Sequence, residues 1–274
     1  MMHLYPLLLP ALLAPSTGDF CFEDQGDLHG LQPLGGGIAT IDFDGDGYQD
    51  LILGGGFGSG TLSLYHNVPG AAAGSRTFQN VTAGSGFSDT DAAGRDMSGI
   101  VVADVDGDGL DDVFASGYLP SAGPQPQSSG LFYRNLGGGV FANETVTRGL
   151  RATGYRMDSC TFVDYDHDGD VDLFGLCRSN PNNYLLLEND GTGQFTNNMA
   201  PLPNAQYFFR AYSHLWTDFN GDGWEDCIVL VDGSPADVLR NDPAPGGGRM
   251  LSEVASSIGI GSLGMLPMGV ACGD

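Results

Sequence analysis

The chain has 274 residues, 41% of them hydrophobic, with 44 glycines and 15 prolines, which suits a globular body rich in turns and short strands. A net charge of −24 excludes a nucleic-acid binder, because the phosphates would be repelled. All ten basic residues are arginine, which excludes a P-loop lysine, a Schiff-base lysine and a lysine-rich membrane patch.

Residues 1–16 contain the apolar run from Leu4 to Ala14, long enough for the hydrophobic part of a signal peptide and too short to cross a bilayer. Small residues at Ala14 and Ser16 offer a cleavage point. The expectation is a secreted protein, extracellular or periplasmic, whose folded part is residues 17–274. No other segment is long and apolar enough for a membrane span.

Four copies of one nine-residue loop follow. They start at Asp42, Asp104, Asp164 and Asp218, at intervals of 62, 60 and 54 residues. The first places Asp42, Asp44, Asp46 and Asp50 at positions 1, 3, 5 and 9, with the carbonyl of Tyr48 at position 7. The second uses Asp104, Asp106, Asp108, Asp112 and the carbonyl of Leu110. The third uses Asp164, Asp166, Asp168, Asp172 and the carbonyl of Asp170. The fourth uses Asp218, Asn220, Asp222, Asp226 and the carbonyl of Trp224. Glycine at position 6 permits the turn that gathers these oxygens, and an all-oxygen cage suits a hard, flexible cation such as Ca²⁺. About four calcium sites are expected, with Asn220 weakening the fourth modestly. The loops hold 18 of the 34 acidic residues, so they account for most of the acidity.

The repeat extends beyond the loops. A small residue stands five positions before each (Gly37, Gly99, Ser159, Ser213), and short apolar runs flank every loop on both sides. Such runs read as strands buried on both faces, with the loop joining two of them. A second hairpin follows in each unit, marked by Asn67, Asn135, Asn189 and Asn241; these asparagines and the nearby glycines are expected to supply the positive-φ turn residues. Four strands in about 60 residues, repeated, predict the blades of an all-β propeller. Phe22-Glu-Asp24 resembles the start of each unit's last strand, and Asp274 falls where a fifth loop would begin. The expectation is therefore a piece of a six- to eight-bladed ring, incomplete at its C-terminus.

Five cysteines show no C-x-x-C pair, which leaves zinc and thioredoxin-like chemistry unsupported. Cys160 and Cys177 flank the third loop and are either a disulfide across its hairpin or two separately buried thiols. The sequons at Asn80 and Asn143 coincide with the repeat's own hairpin pattern.

These units resemble the FG-GAP/VCBS repeats of the integrin α-subunit propeller and its bacterial relatives, over roughly residues 22–274. The stretches Leu131-Phe-Tyr-Arg-Asn135-Leu-Gly-Gly-Gly-Val-Phe141-Ala-Asn143 and Phe78-Gln-Asn80-Val-Thr-Ala-Gly84 are most similar to propellers of the ASPIC/UnbV and cartilage-acidic-protein type. Two departures stand out: Asn220 in the fourth loop, and the absence of the C-terminal module that gives ASPIC/UnbV its name.

The resemblance implies an exported scaffold for adhesion or recognition, with structural calcium in the blade loops and an extracellular protein or glycan as partner. An alternative is a propeller-type enzyme, polysaccharide-cleaving or quinone-dependent, with its site outside this stretch. His167 sits at a non-ligand loop position and His214 in an inner strand; the adjacent Ser213 and His214 do not make a triad. An EF-hand fails because position 12 holds Leu53, Ala115, Gly175 and Val229.

Overall fold

The computed structural model describes residues 35–55, 62–87, 96–118, 130–150, 156–178, 184–203, 211–231 and 235–260. The expected signal peptide, the strand at residues 22–24, the terminal residues 269–274, Cys21 and Cys272 lie outside the described residues. Among the described residues, sixteen strands form four antiparallel sheets of four, each a simple meander. The sheets are β1–β4 (Gly35–Ile41, Asp50–Gly55, Leu62–Pro69, Arg76–Asn80), β5–β8 (Asp96–Ala103, Asp112–Tyr118, Gly130–Asn135, Phe141–Asn143), β9–β12 (Arg156–Val163, Asp172–Arg178, Tyr184–Asn189, Phe195–Asn197) and β13–β16 (Ala211–Thr217, Asp226–Val231, Asp237–Pro243, Arg249–Glu253). This is the blade architecture of a β-propeller.

Both faces of the inner blades are buried, which explains why their strands read as continuous apolar runs. Val113 and Ala115 on β6 and Leu131 and Tyr133 on β7 pack toward the first blade, with Ile52, Leu62 and Leu64. The intervening Phe114 and Phe132 face the third blade, with Leu173, Leu185, Leu187 and Phe195. Phe174, Leu176 and Leu186 then meet Cys227, Val229, Leu239 and Leu251 of the fourth. The two-residue period of a strand thus sorts neighbouring side chains into two different inter-blade cores. Fully burying one such side chain contributes about 1.5–3 kcal/mol.

The small residue ahead of each loop has a steric cause. In every blade a register shift interrupts the first strand at this point, between Gly35 and Ile38, Met97 and Gly99, opposite Leu176 and Cys177, and between Ala211 and Ser213. First strands of adjacent blades approach closely there: a Cβ on Gly99 would sit 2.8 Å from Ser116 Oγ and 3.5 Å from Cys160 Sγ.

Blades are also stitched along their outer strands. Phe141 NH donates to Ser85 O at 2.7 Å, Phe195 NH to Arg148 O at 2.9 Å, and Leu251 NH to Pro201 O at 2.7 Å. Leu251 replaces the aromatic of the other units yet keeps this bond, because the main chain makes it.

One expectation is corrected and one open alternative is decided. Asn67, Asn135, Asn189 and Asn241 are not positive-φ residues; among the described non-glycine residues only His167 is, at 56°. They belong to the third strand of each blade and act through their side chains. Cys160 and Cys177 are free, buried thiols. Cys160 pairs in register with Gly175, and Cys177 with Met157 beyond the bulge, so the two are not partners across the hairpin.

Candidate metal centres

Each aspartate loop joins the first and second strands of its blade. The ninth residue opens the second strand, so Asp50, Asp112, Asp172 and Asp226 pair with Ile41, Ala103, Val163 and Thr217. That register carries the ninth carboxylate into the interior, where all four are buried. Of the preceding residues, the second turns inward in the first three loops (Phe43, Val105 and Tyr165 are buried), while positions 4 to 6 stay exposed.

Inside each loop, carboxylates take up the main-chain donors that the turn exposes. Asp42 accepts from Asp46 NH and Gly47 NH at 3.1 and 2.9 Å, and Asp104 accepts from Asp108 NH and Gly109 NH at the same distances. Asp218 accepts from Gly221, Asp222 and Gly223, and Asp164 from Gly169. The fifth residue accepts from the NH of the seventh: Asp46 from Tyr48 and Asp108 from Leu110 at 2.9 Å, Asp168 from Asp170 and Asp222 from Trp224 at 3.0 Å. Positive φ at position 4 (Gly45 74°, Gly107 70°, Gly221 77°) and at position 6 makes this curl, and His167 occupies position 4 of the third loop.

The ninth aspartate ties loop to blade. Its Oδ1 accepts the NH of the third-strand asparagine: Asn67 to Asp50 and Asn135 to Asp112 at 2.7 Å, Asn189 to Asp172 at 2.9 Å, Asn241 to Asp226 at 2.8 Å. The asparagine amide returns to the eighth loop carbonyl, of Gln49, Asp111, Val171 or Glu225. The sequence marks these asparagines, but nothing in the spacing shows that they serve the loop of their own blade.

Three of the loops converge on groups of acidic side chains with ligand atoms within 4.8 Å of one another: Asp42, Asp44 and Asp50; Asp104, Asp106 and Asp108; Asp164, Asp166 and Asp168. A further group joins Asp44 and Asp46 to His66. The fourth loop forms no such group among the described residues; there Asn220 Nδ2 donates to Asp222 Oδ2 at 3.0 Å.

The electrostatics are those of crowded carboxylates. Burial, opposed by the bond from Asn135 NH, pushes the Asp112 carboxyl up to about 7. Burial and the neighbouring Asp166, Asp168 and Glu188 push Asp172 up to about 8. Asp50, Asp166 and Asp226 are raised too, each chiefly by burial. Four buried carboxylate oxygens have no hydrogen-bond donor: Asp106 Oδ1, Asp112 Oδ2, Asp164 Oδ1 and Asp166 Oδ1.

Arginines surround some loops and not others. Arg134 bonds Asp106 Oδ2 and Asp108 Oδ2 at 2.9 Å, and Arg148 bonds Asp106 Oδ2 at 3.0 Å while donating to Thr192 O at 2.6 Å in the next blade. Arg76 and Arg249 stack over Tyr48 and Trp224, the seventh residues of the first and fourth loops, at 3.5 and 3.7 Å. His167 stacks on Trp224 at 4.2 Å and lies 2.7 Å from Glu225, linking the third loop to the fourth. His214 does find a serine, but it is Ser159 of the neighbouring blade (Oγ to Nδ1 3.2 Å), and burial holds the imidazole down at about 4. That is too weak a base to activate a hydroxyl at neutral pH.

No curated protein matches the chain. A lectin from Agrocybe aegerita, described as specifically recognising non-reducing terminal N-acetylglucosamine, is similar in structure at 18% identity and a TM-score of 0.44, over 78% of this chain; the chain spans half of that protein's length. The profile of the FG-GAP-like repeat matches residues 42–115 and 164–229, about half of the sequence, and each match opens at a loop's first aspartate and ends in the second strand after another loop. On that match and the repeated loop-and-blade geometry, the chain belongs to the FG-GAP-like repeat family.

Proposed function

We propose that the chain is an exported, calcium-stabilised propeller that serves as an adhesion or recognition scaffold for an extracellular protein or glycan. The observation that carries the calcium reading is Asp112 Oδ2. It belongs to a side chain 1% exposed, the Val105 NH near this carboxyl completes no well-formed bond to that oxygen, and the carboxyl is already pushed to about 7. A buried polar atom without a partner is costly, and a cation in the loop would supply one. Asp106 Oδ1, Asp164 Oδ1 and Asp166 Oδ1 repeat the argument in the second and third loops.

The residues fit an oxygen-seeking ion: three or four side-chain oxygens per loop, no thiol, and a position-7 carbonyl. Bound Ca²⁺ supplies the positive charge that lets clustered carboxylates stay ionised. The chain's own residues do the rest. The first and fifth aspartates fold the turn through its amides, and the ninth fastens it to the third-strand asparagine. Such sites in extracellular modules bind at about 10⁻⁴–10⁻³ M, a range suited to an outside compartment. The N-terminal apolar run supports export. Within the family, the Leu131–Asn143 signature favours the ASPIC/UnbV and cartilage-acidic-protein branch.

Calorimetric calcium titration, paired with melts in calcium and in chelator, tests this reading. Uptake of about four ions with a raised melting temperature is expected. No uptake, with equal melting in chelator, overturns the calcium assignment. Fractionation of the native host decides export, and protein and glycan arrays probed with and without calcium decide recognition.

A further inference from the structure

The four loops share one plan, but a different side chain approaches each from the third strand. The residue before the recurrent asparagine is His66, Arg134, Glu188 and Arg240 in turn. His66 Nε2 lies 2.9 Å from Asp44 Oδ2 of its own loop. Arg134 reaches Asp106 and Asp108 of its loop, both at 2.9 Å, and Arg148 adds a second guanidinium on the same Asp106 oxygen. In the third blade Glu188 brings a carboxylate instead; its Oε1 is held at 2.5 Å by Tyr165 OH and by Asn198 Nδ2. Arg240 turns aside onto Asp242 at 2.8 Å.

We propose that this residue sets the order in which the loops take up divalent cations, with the Glu188 loop filling most tightly and the Arg134 loop held back. The inference rests on the calcium reading above. Two guanidinium groups on Asp106 repel an incoming dication and compete for its carboxylate, yet they leave Asp106 Oδ1 free, so the site is weakened and not closed. The third loop meets the opposite field. Glu188 and Asp170 add negative charge, no arginine among the described residues pairs with its aspartates, and two of its buried oxygens have no donor. Neighbouring charge of this kind acts within a Debye length, about 8 Å at physiological salt. The fourth loop has one carboxylate fewer, and Asn220 spends its amide on Asp222.

The test is a calcium titration by calorimetry on the whole chain, wild type beside Glu188→Gln and Arg134→Gln, at 0.15 M salt (about one physiological ionic strength). Glu188→Gln is expected to weaken the tightest site about tenfold, about 1.4 kcal/mol, with the number of ions unchanged. Arg134→Gln is expected to strengthen one of the weaker sites by a similar factor. Constants that do not move, or that move in the same direction in both variants, overturn the proposal while leaving the calcium reading intact. A wild type that takes up no calcium overturns both. Should Arg134→Gln fail to fold by circular dichroism, Glu188→Gln decides alone, since its predicted sign is fixed.

Discussion

Asn189 Nδ2 donates to the carbonyl of Val105 at 2.8 Å, a bond that runs from the third strand of one blade into the aspartate loop of the blade before it. Asn241 repeats it on Tyr165 at 2.7 Å. Val105 and Tyr165 both hold the second position of their loops, so the second and third loops are each gripped by the ninth-aspartate asparagine of their own blade and by the asparagine of the next. Ordering a loop therefore also orders a blade-to-blade joint, which is how an ion at the rim could stabilise the stack as a whole.

Asn189→Ala should be among the most destabilising polar substitutions in the chain. The amide spends both hydrogens on Val105 O and Val171 O, and Oδ1 accepts from Gly191 NH and Gly193 NH. Removing it strands buried main-chain groups, at a cost of about 2–4 kcal/mol. Denaturant midpoints measured with calcium present should show the loss; a change below about 0.5 kcal/mol would mean water replaces the amide freely. Asn189→Asp should lose as much, since a carboxylate cannot donate to either carbonyl.

The blade plan was legible in the sequence because two signals agreed: loop spacing fixed the period, and apolar runs on both sides of each loop gave strands buried on two faces. The asparagines were legible as marks but not as devices. A strand asparagine and a turn asparagine look alike until the register shows that Asn135 stands opposite Phe141 and donates to Asp112, 23 residues earlier. Contacts between blades, such as Arg148 reaching both Asp106 and Thr192, span about one repeat and leave no local pattern to read. The same holds for Ser159 and His214, where the residue adjacent in sequence, Ser213, is not the partner.

His214 should give the fold an acid-side weakness. Burial lowers its folded pKa from 6.5 to about 4, so the unfolded chain binds the proton more readily. The stabilising effect of the neutral ring is complete above pH 6.5 and is lost as pH falls from there toward 4. It amounts to at most about 3 kcal/mol. Carboxyls with raised pKa, Asp112 and Asp172, titrate in the opposite sense, so the measurement must be a difference. Urea midpoints at pH 7 and pH 4.5 for wild type and His214→Gln should show a smaller acid loss in the variant; parallel losses would remove His214 from the account.

Cys160 and Cys177 should behave as inert thiols. Burial pushes Cys160 up to about 12 and holds Cys177 well above the ordinary range, which suppresses the reactive thiolate. Neither should be alkylated in the native protein within hours, and both should react in denaturant. Peptide mapping under non-reducing conditions checks the same point, since a recovered Cys160–Cys177 bridge would contradict the register.

His167 carries a left-handed backbone where the equivalent residue of every other loop is glycine. An L side chain in that region costs about 1–2 kcal/mol. Here the ring offsets part of that through its stack on Trp224 and its contact with Glu225. Both lie at the surface and are together worth roughly 1 kcal/mol. His167→Gly exchanges one set for the other and should leave stability within about 0.5 kcal/mol of wild type. His167→Ala gives up the ring while keeping a Cβ at positive φ, so it should be less stable than the glycine variant by about 1 kcal/mol. Thermal melts of the two in chelator decide it. An alanine variant as stable as the glycine one would show that the loop relaxes its backbone when the ring is gone, and that the stack on Trp224 is what holds His167 left-handed.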